Sequence, residues 1–125
     1  MSQSHREFLT YETERWNAHD LDLVYGFLDE NYREYLNGVL VKEGRAATRA
    51  ADQFFYETLP DYHREIEEMH ADDDGGAMRW RIRGTGPNGP VEMAVAAFFR
   101  IEHGKITECW LYGDPAQFAY ALGIQ

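Results

Sequence analysis

The chain has 125 residues, with 22 acidic against 12 basic side chains and a net charge of −10. That length supports a single domain with one core, so residues 1–125 are read as one unit. The acidic balance argues against sequence-independent nucleic-acid binding, which needs a cationic surface, and against docking on anionic membranes. A salt-adapted source would give the same acidic excess. The one cysteine, Cys109, allows no internal disulfide and fits a reducing cytoplasm. No run of 18 apolar residues occurs, and the first nine residues lack the apolar stretch of a secretion signal. A cytoplasmic protein without a membrane segment is the expectation.

Residues 4–18 predict a first helix, with Phe8, Tyr11 and Arg15 on one flank and Leu9 and Trp16 on the next. Its polar side is assigned Glu7, Glu12 and Glu14. Asp20 reads as the N-cap of a second helix, where Leu21, Val24, Tyr25 and Leu28 repeat at i, i+3, i+4 and i+7. Residues 31–41 read as a short strand or irregular edge, interrupted at Gly38 by a turn or bulge. A third helix opens at Gly44, with Ala47, Ala50, Ala51, Phe54, Phe55 and Thr58 as its apolar stripe, and stops before Pro60. Tyr62 to Ala71 reads as a polar strand, closed by a hairpin at Asp72-Asp73-Asp74-Gly75-Gly76. Pairing it with the next strand sets glutamates near Arg79, Arg81 and Arg83, a solvated charge ladder.

From Met78 to Asp114 three successive antiparallel strands are expected. Met78 to Arg83 alternates apolar and cationic residues, the period of a half-buried strand. Residues 84–90 turn the chain. Val91 to Ile101 is apolar on both faces, with Val91, Met93, Val95, Ala97, Phe99 and Ile101 on one side and Ala94, Ala96 and Phe98 on the other. Such a strand belongs at the centre of a sheet. After the His103-Gly104 turn, simple alternation puts Ile106, Glu108, Trp110, Tyr112 and Asp114 on one face. Pro115 then starts a closing helix with Phe118, Ala119 and Leu122 as its contacts. Three helices and a curved antiparallel sheet make an α+β domain.

Several motifs carry a resemblance: Arg83-Gly84-Thr85, Gly104-Lys105-Ile106 followed by Glu108, Trp110 and Asp114, then Leu122-Gly123, with Leu59-Pro60-Asp61 and Gly44-Arg45 upstream. Together they resemble the SnoaL-like, polyketide cyclase-like branch of the nuclear transport factor 2-like superfamily. That resemblance implies a cone, in which the sheet wraps the helices and leaves a pocket, and a homodimer through the sheet's outer face. It also implies a range of activities, from cyclases, isomerases, dehydratases and epoxide hydrolases to non-catalytic binding modules, so fold alone does not settle function.

Asp114 is the first catalytic candidate. It shares parity with Trp110 and Tyr112, and the resemblance puts an acid/base aspartate at this motif position. A carboxylate walled by aromatic rings has a raised pKa. Asp114-Pro115 is equally an ordinary helix cap followed by proline at the first helical position. Tyr35 stands roughly where isomerase relatives carry a proton-abstracting aspartate. A phenol is a poor base at neutral pH, so Tyr35 is assigned a hydrogen-bonding role toward a carbonyl. Trp16, Tyr32, Phe54, Trp80, Trp110 and Tyr112 are the candidate ligand contacts. Glu108 faces with Trp110 and reads chiefly as an arginine's partner. Where relatives often carry histidine before the tryptophan, this chain has Cys109.

His63 and His70 fall on opposite sides of an extended segment, and no metal-ligand spacing, phosphate loop or nucleophile elbow occurs. No cofactor is expected. Two functions follow: a cofactor-free cyclase or isomerase acting on a small hydrophobic carbonyl compound through Asp114, or a non-catalytic small-ligand-binding or dimerisation module.

Overall fold

The computed structural model describes residues 2–124, with side chains from His5 onward. Helices α1 (Ser2–Asn17) and α2 (Leu21–Gly26) are followed by strands β1 (Leu28–Leu36) and β2 (Val39–Glu43). Helix α3 (Arg45–Thr58), strands β3 (His63–Asp72), β4 (Gly75–Gly86), β5 (Gly89–Glu102) and β6 (Lys105–Tyr112), and helix α4 (Pro115–Leu122) complete the chain. The strands form one sheet in the order β2-β1-β6-β5-β4-β3, antiparallel except where β1 runs parallel to β6. This is the α+β arrangement expected from the sequence, a mixed six-stranded sheet with helices packed on it.

The uncertain stretch around Gly38 is a hairpin. Asn37 and Gly38 both take positive φ, the backbone that a two-residue turn between twisted strands requires. Leu28, expected in the second helix, instead starts β1.

Strict alternation fails in three strands, each time because of an extra residue. The β1–β2 register slips between Glu34 and Tyr35, that of β3–β4 between Ile66 and Glu68, and that of β5–β6 between Arg100 and Ile101. A bulge exchanges the faces of every residue beyond it. Ile106 is therefore inside, but so are Cys109 and Leu111, while Glu108 pairs with Arg100 and Trp110 with Phe98 on the outer face. The face expected to hold Trp110 and Tyr112 against the cavity is the outer one. Trp110 there stacks on Tyr35, with ring centroids 5.9 Å apart.

The expected ladder is present. Arg79 meets Glu67 and Glu68, Arg81 meets Glu67 and Glu92, and Arg83 meets Glu65 and Glu92.

Helix α3 is rotated from its expected stripe. Thr48, Asp52 and Tyr56 are its buried residues, whereas Phe54 is 48% exposed. The cause is polar satisfaction: Thr48 Oγ1 donates to the Gly44 carbonyl, and Asp52 accepts from Lys42 Nζ at 2.8 Å. Glu12, assigned to the polar side of α1, is likewise buried.

Helix α1 lies close against β4 and the end of β3. A Cβ at Gly76 would stand 2.6 Å from Leu9 Cδ1 and 2.8 Å from the His70 carbonyl oxygen. The side chain can shift, but the β3 backbone cannot move without loosening the ladder. Gly76→Ala should therefore lower stability by about 1–3 kcal/mol, the usual cost of overpacking, as measured by urea unfolding.

Candidate active site

The inner face of the sheet and the helices enclose a cavity of about 90 Å³. A single water needs roughly 10–15 Å³, so there is room for several waters or a compact organic molecule. The walls are mainly apolar and aromatic, from Trp16, Tyr32, Phe55, Tyr62, Trp80 and Phe99 among others. Five formally charged side chains also reach it: Glu12, Glu34, Lys42, Asp52 and Arg64. They form two clusters.

In the first, α1 meets β3. Leu9, Glu12, Thr13 and Trp16 follow the i, i+3, i+4, i+7 spacing of one helix face, and that face is turned to the sheet. Arg64 arrives from β3, its guanidinium carbon 3.9 Å from the Trp80 ring centroid and 4.5 Å from that of Trp16. Planar contact with two indoles suits a weakly hydrated cation. Its Nε donates to the Tyr62 hydroxyl at 2.8 Å, and one terminal nitrogen lies 3.7 Å from Glu12 Oε1. Asn17 fixes the backbone beneath it, donating to the Arg64 carbonyl and accepting from its N–H, both at 2.8 Å.

Glu12 is 3% exposed. Its Oε1 has no hydrogen-bond partner among the described residues, and neither has Trp80 Nε1, which is buried and belongs to another lining residue. Burial raises the Glu12 carboxyl to about 7, a rise opposed by Arg64 and the Trp16 indole and assisted by the nearby Asp52 and Glu34 carboxylates. This is the range in which a carboxyl can both take and return a proton at neutral pH.

In the second cluster, Lys42 Nζ lies 2.8 Å from Asp52 Oδ1 and 3.0 Å from Glu34 Oε2, while the Tyr32 hydroxyl donates to Glu34 Oε1 at 2.7 Å. Burial alone would lower the Lys42 pKa, but the two carboxylates outweigh it and hold the amine protonated. Burial raises the Asp52 carboxyl, with Lys42 working against that rise. The register slip in the β1–β2 hairpin puts Lys42 directly opposite Glu34. Cys109 lines the same cavity, and its thiol is pushed well up by burial, so it is a neutral, inert wall.

Of the residues singled out by sequence, Trp16, Tyr32 and Trp80 line the cavity. Phe54 does not, and its neighbour Phe55 takes that place. Tyr35, Trp110 and Tyr112 stand on the outer face. Asp114 is exposed and caps α4, accepting from the Ala116 N–H at 2.9 Å. Glu12, Arg64, Glu34, Lys42 and Asp52 were missed. The helical spacing from Leu9 to Trp16 could have found Glu12, and the shared parity of Arg64 with Tyr62 and Ile66 could have found Arg64. Among the described residues no group of three or more His, Cys, Asp or Glu is arranged to hold a metal ion, and no helix is long and apolar enough to cross a membrane.

The family model for the SnoaL-like domain matches residues 9–109, and the chain belongs to that family. No curated protein sequence matches it. Among solved structures, AclR of Streptomyces galilaeus, a proposed hydroxylase, superposes with a TM-score of 0.83 over 98% of both chains at 18% identity. IdmH of Streptomyces antibioticus, a proposed polyketide cyclase, gives 0.78 at 22% identity over 96% of this chain and 99% of its own. An LEH-like epoxide hydrolase from M. tuberculosis gives 0.81 at 16% identity over 97% and 90%. At these identities the likeness concerns the fold.

The shifted carboxyl sets a pH dependence. Glu12 has an ordinary value of 4.5 and stands at about 7 in the folded protein, so between those limits the native state holds more protons than the unfolded chain. Stability then falls as pH rises through this window, by up to roughly 3 kcal/mol at one pKa unit per 1.36 kcal/mol. Asp52, also raised, contributes with the same sign. Denaturant unfolding at pH 5 and pH 7.5 should show this fall, and Glu12→Gln should remove most of it.

Proposed function

We propose that this member of the SnoaL-like family is a cofactor-free enzyme of cyclase or isomerase type, acting on a small hydrophobic carbonyl compound with Glu12 as its acid/base. One observation carries the reading: a buried carboxyl, raised to about 7, with an oxygen that has no hydrogen bond among the described residues, in an aromatic cavity. The Glu12 carboxylate takes a proton from the carbon next to the carbonyl. The C–H electron pair moves to the carbonyl oxygen as an enolate, which the uncommitted Trp80 N–H is suited to receive. The protonated Glu12 then returns its proton, either to another carbon of the enolate, which isomerises the substrate, or to an internal carbonyl oxygen as the enolate carbon attacks it, which closes a ring. Arg64 holds the carboxyl in place and opposes its rise, keeping it within reach of neutral pH.

Proton transfer is measurable without the natural substrate. Exchange of α-hydrogens of cyclopentanone or pentane-2,4-dione in deuterated water, followed by NMR, should be accelerated by the protein. Glu12→Gln should reduce that acceleration by about 10²–10⁴-fold. Asp114→Asn should leave both exchange and stability unchanged, to within about 1 kcal/mol, since asparagine caps a helix nearly as well as aspartate. Retained exchange in Glu12→Gln together with its loss in Asp114→Asn would return the role to Asp114. Binding of these ketones without exchange would support the alternative, a non-catalytic ligand-binding module, which the modest cavity volume favours.

A homodimer through the outer face is part of the same proposal. Phe98 is 49% and Tyr112 45% exposed beside Trp110, an aromatic row that water would otherwise cover. The adjoining ladder alternates arginine and glutamate, so a second copy turned about a twofold axis meets opposite charges. Sedimentation at micromolar concentration should give a dimer, and Phe98→Glu should give a folded monomer.

A further inference from the structure

The charges around the cavity do not balance. Three carboxylates, Glu12, Glu34 and Asp52, face two cations, Lys42 and Arg64, which leaves one negative charge. The surplus is local. Glu12 is matched by Arg64 at 3.7 Å, whereas the single ammonium of Lys42 serves both Glu34 and Asp52. Neither carboxylate of that pair is freely solvated, with side-chain exposures of 11% and 4%. An uncompensated charge in such a place is costly.

Among the described residues that line the cavity, Glu12 is a carboxyl raised as far as neutral pH. It is faced by Arg64 from β3, Trp16 on its own helix, Glu34 from β1, Lys42 from β2, Asp52 from α3 and Cys109 from β6. Tyr32, Tyr62 and Cys109 are all raised and hence neutral near pH 7. A proton on Glu12 makes the cavity neutral, and the Asp52 and Glu34 carboxylates help to hold it there.

We propose that the cavity selects a small organic cation, an amine or ammonium group, over its neutral isostere and rejects carboxylates. The cation supplies the charge that the Glu34–Lys42–Asp52 cluster lacks. The walls suit it, because the faces of Tyr32, Tyr62, Trp16 and Trp80 carry the negative quadrupole that attracts cations, and Arg64 already shows the preference on two of them. Glu12 Oε1, buried and without a hydrogen bond among the described residues, though 3.7 Å from Arg64, is an acceptor for an ammonium N–H. Below about pH 7, binding the cation releases the proton that Glu12 carries there. The cation preference stands on charge and geometry alone. Its bearing on substrate rests on the proton-transfer reading: carbonyl compounds that are neutral or carry an amine are admitted, and keto acids are excluded.

The test is a charge series of nearly constant shape: tert-butylammonium, tert-butanol and trimethylacetate, titrated by ligand-observed NMR at pH 7.5. The ammonium should bind about tenfold or more tightly than the alcohol, and the carboxylate more weakly than either. Asp52→Asn removes the surplus charge and should level the ammonium with the alcohol. With the wild-type protein, ammonium affinity should rise by up to about tenfold per pH unit below pH 7 and flatten above it, while alcohol affinity stays constant or falls. Ammonium binding no tighter than the alcohol, or no saturable ammonium binding in the millimolar range, overturns the inference whether or not the variant folds. Ammonium selectivity without hydrogen exchange would sink the proton-transfer reading alone. Exchange without selectivity would sink this inference alone.

Discussion

Taking the Arg64 guanidinium out of water is the constraint to which the rest of the site answers. A buried cation costs several kcal/mol unless its faces and its donors are occupied, and no single neighbour can do both. Two indole rings lie against the guanidinium, the Tyr62 hydroxyl takes Nε, and Glu12 supplies the opposing charge. Trp16 and Glu12 lie on α1, Trp80 on β4 and Tyr62 just before β3, so satisfying Arg64 fixes how the first helix docks in the sheet. Asn17 locks that docking with two backbone hydrogen bonds to Arg64. Once α1 is held at this height, the space beneath it is the cavity.

Stability alone does not account for such a centre. Replacing a buried ion pair by apolar residues of similar volume is often neutral or stabilising. Here five charged side chains are spent on one small cavity, with two polar atoms left unpartnered. A core built only for folding would have filled this volume with leucine and valine. The outer face makes the contrast. Its arginine–glutamate ladder is solvated and contributes only tenths of a kcal/mol per pair, so charge is inexpensive there and carries no comparable message.

Strands, turns and the α+β class were legible because they rest on local chemistry: alternation in Met78 to Arg83, glycine at the hairpin turns, proline at the start of α4. The motifs from Arg83 to Asp114 pointed correctly to the SnoaL-like branch. The facing of individual residues was less legible, since it depends on bulges, and a bulge is a property of the pairing between strands. Nothing in Lys105 to Tyr112 marks Thr107 as the extra residue. Charged residues were likewise assigned to water, a sound rule for lone charges that fails when partners arrive from other elements. Glu12 is four residues from Phe8 and Trp16 and three from Leu9, yet its partner Arg64 is far away in sequence.

The slip at Thr107 has a consequence beyond orientation. Strand side chains alternate with a period of two, so one inserted residue exchanges the faces of everything after it. Without it, Glu108, Trp110 and Tyr112 would crowd the cavity, and Cys109 and Leu111 would face solvent. Glu108 would then add a fourth carboxylate to the three, Glu12, Glu34 and Asp52, that already line the cavity. With it, the wall of the cavity at β6 is a neutral thiol and an aliphatic side chain. The large rings are moved to the outer surface, where Trp110 stacks on Tyr35. Asp114, which the resemblance puts in an acid/base role, stands beyond this strand as the cap of α4, accepting from the Ala116 N–H. The buried carboxyl that lines the cavity and is raised toward neutral pH is thus on the first helix, at Glu12, and not on the last strand.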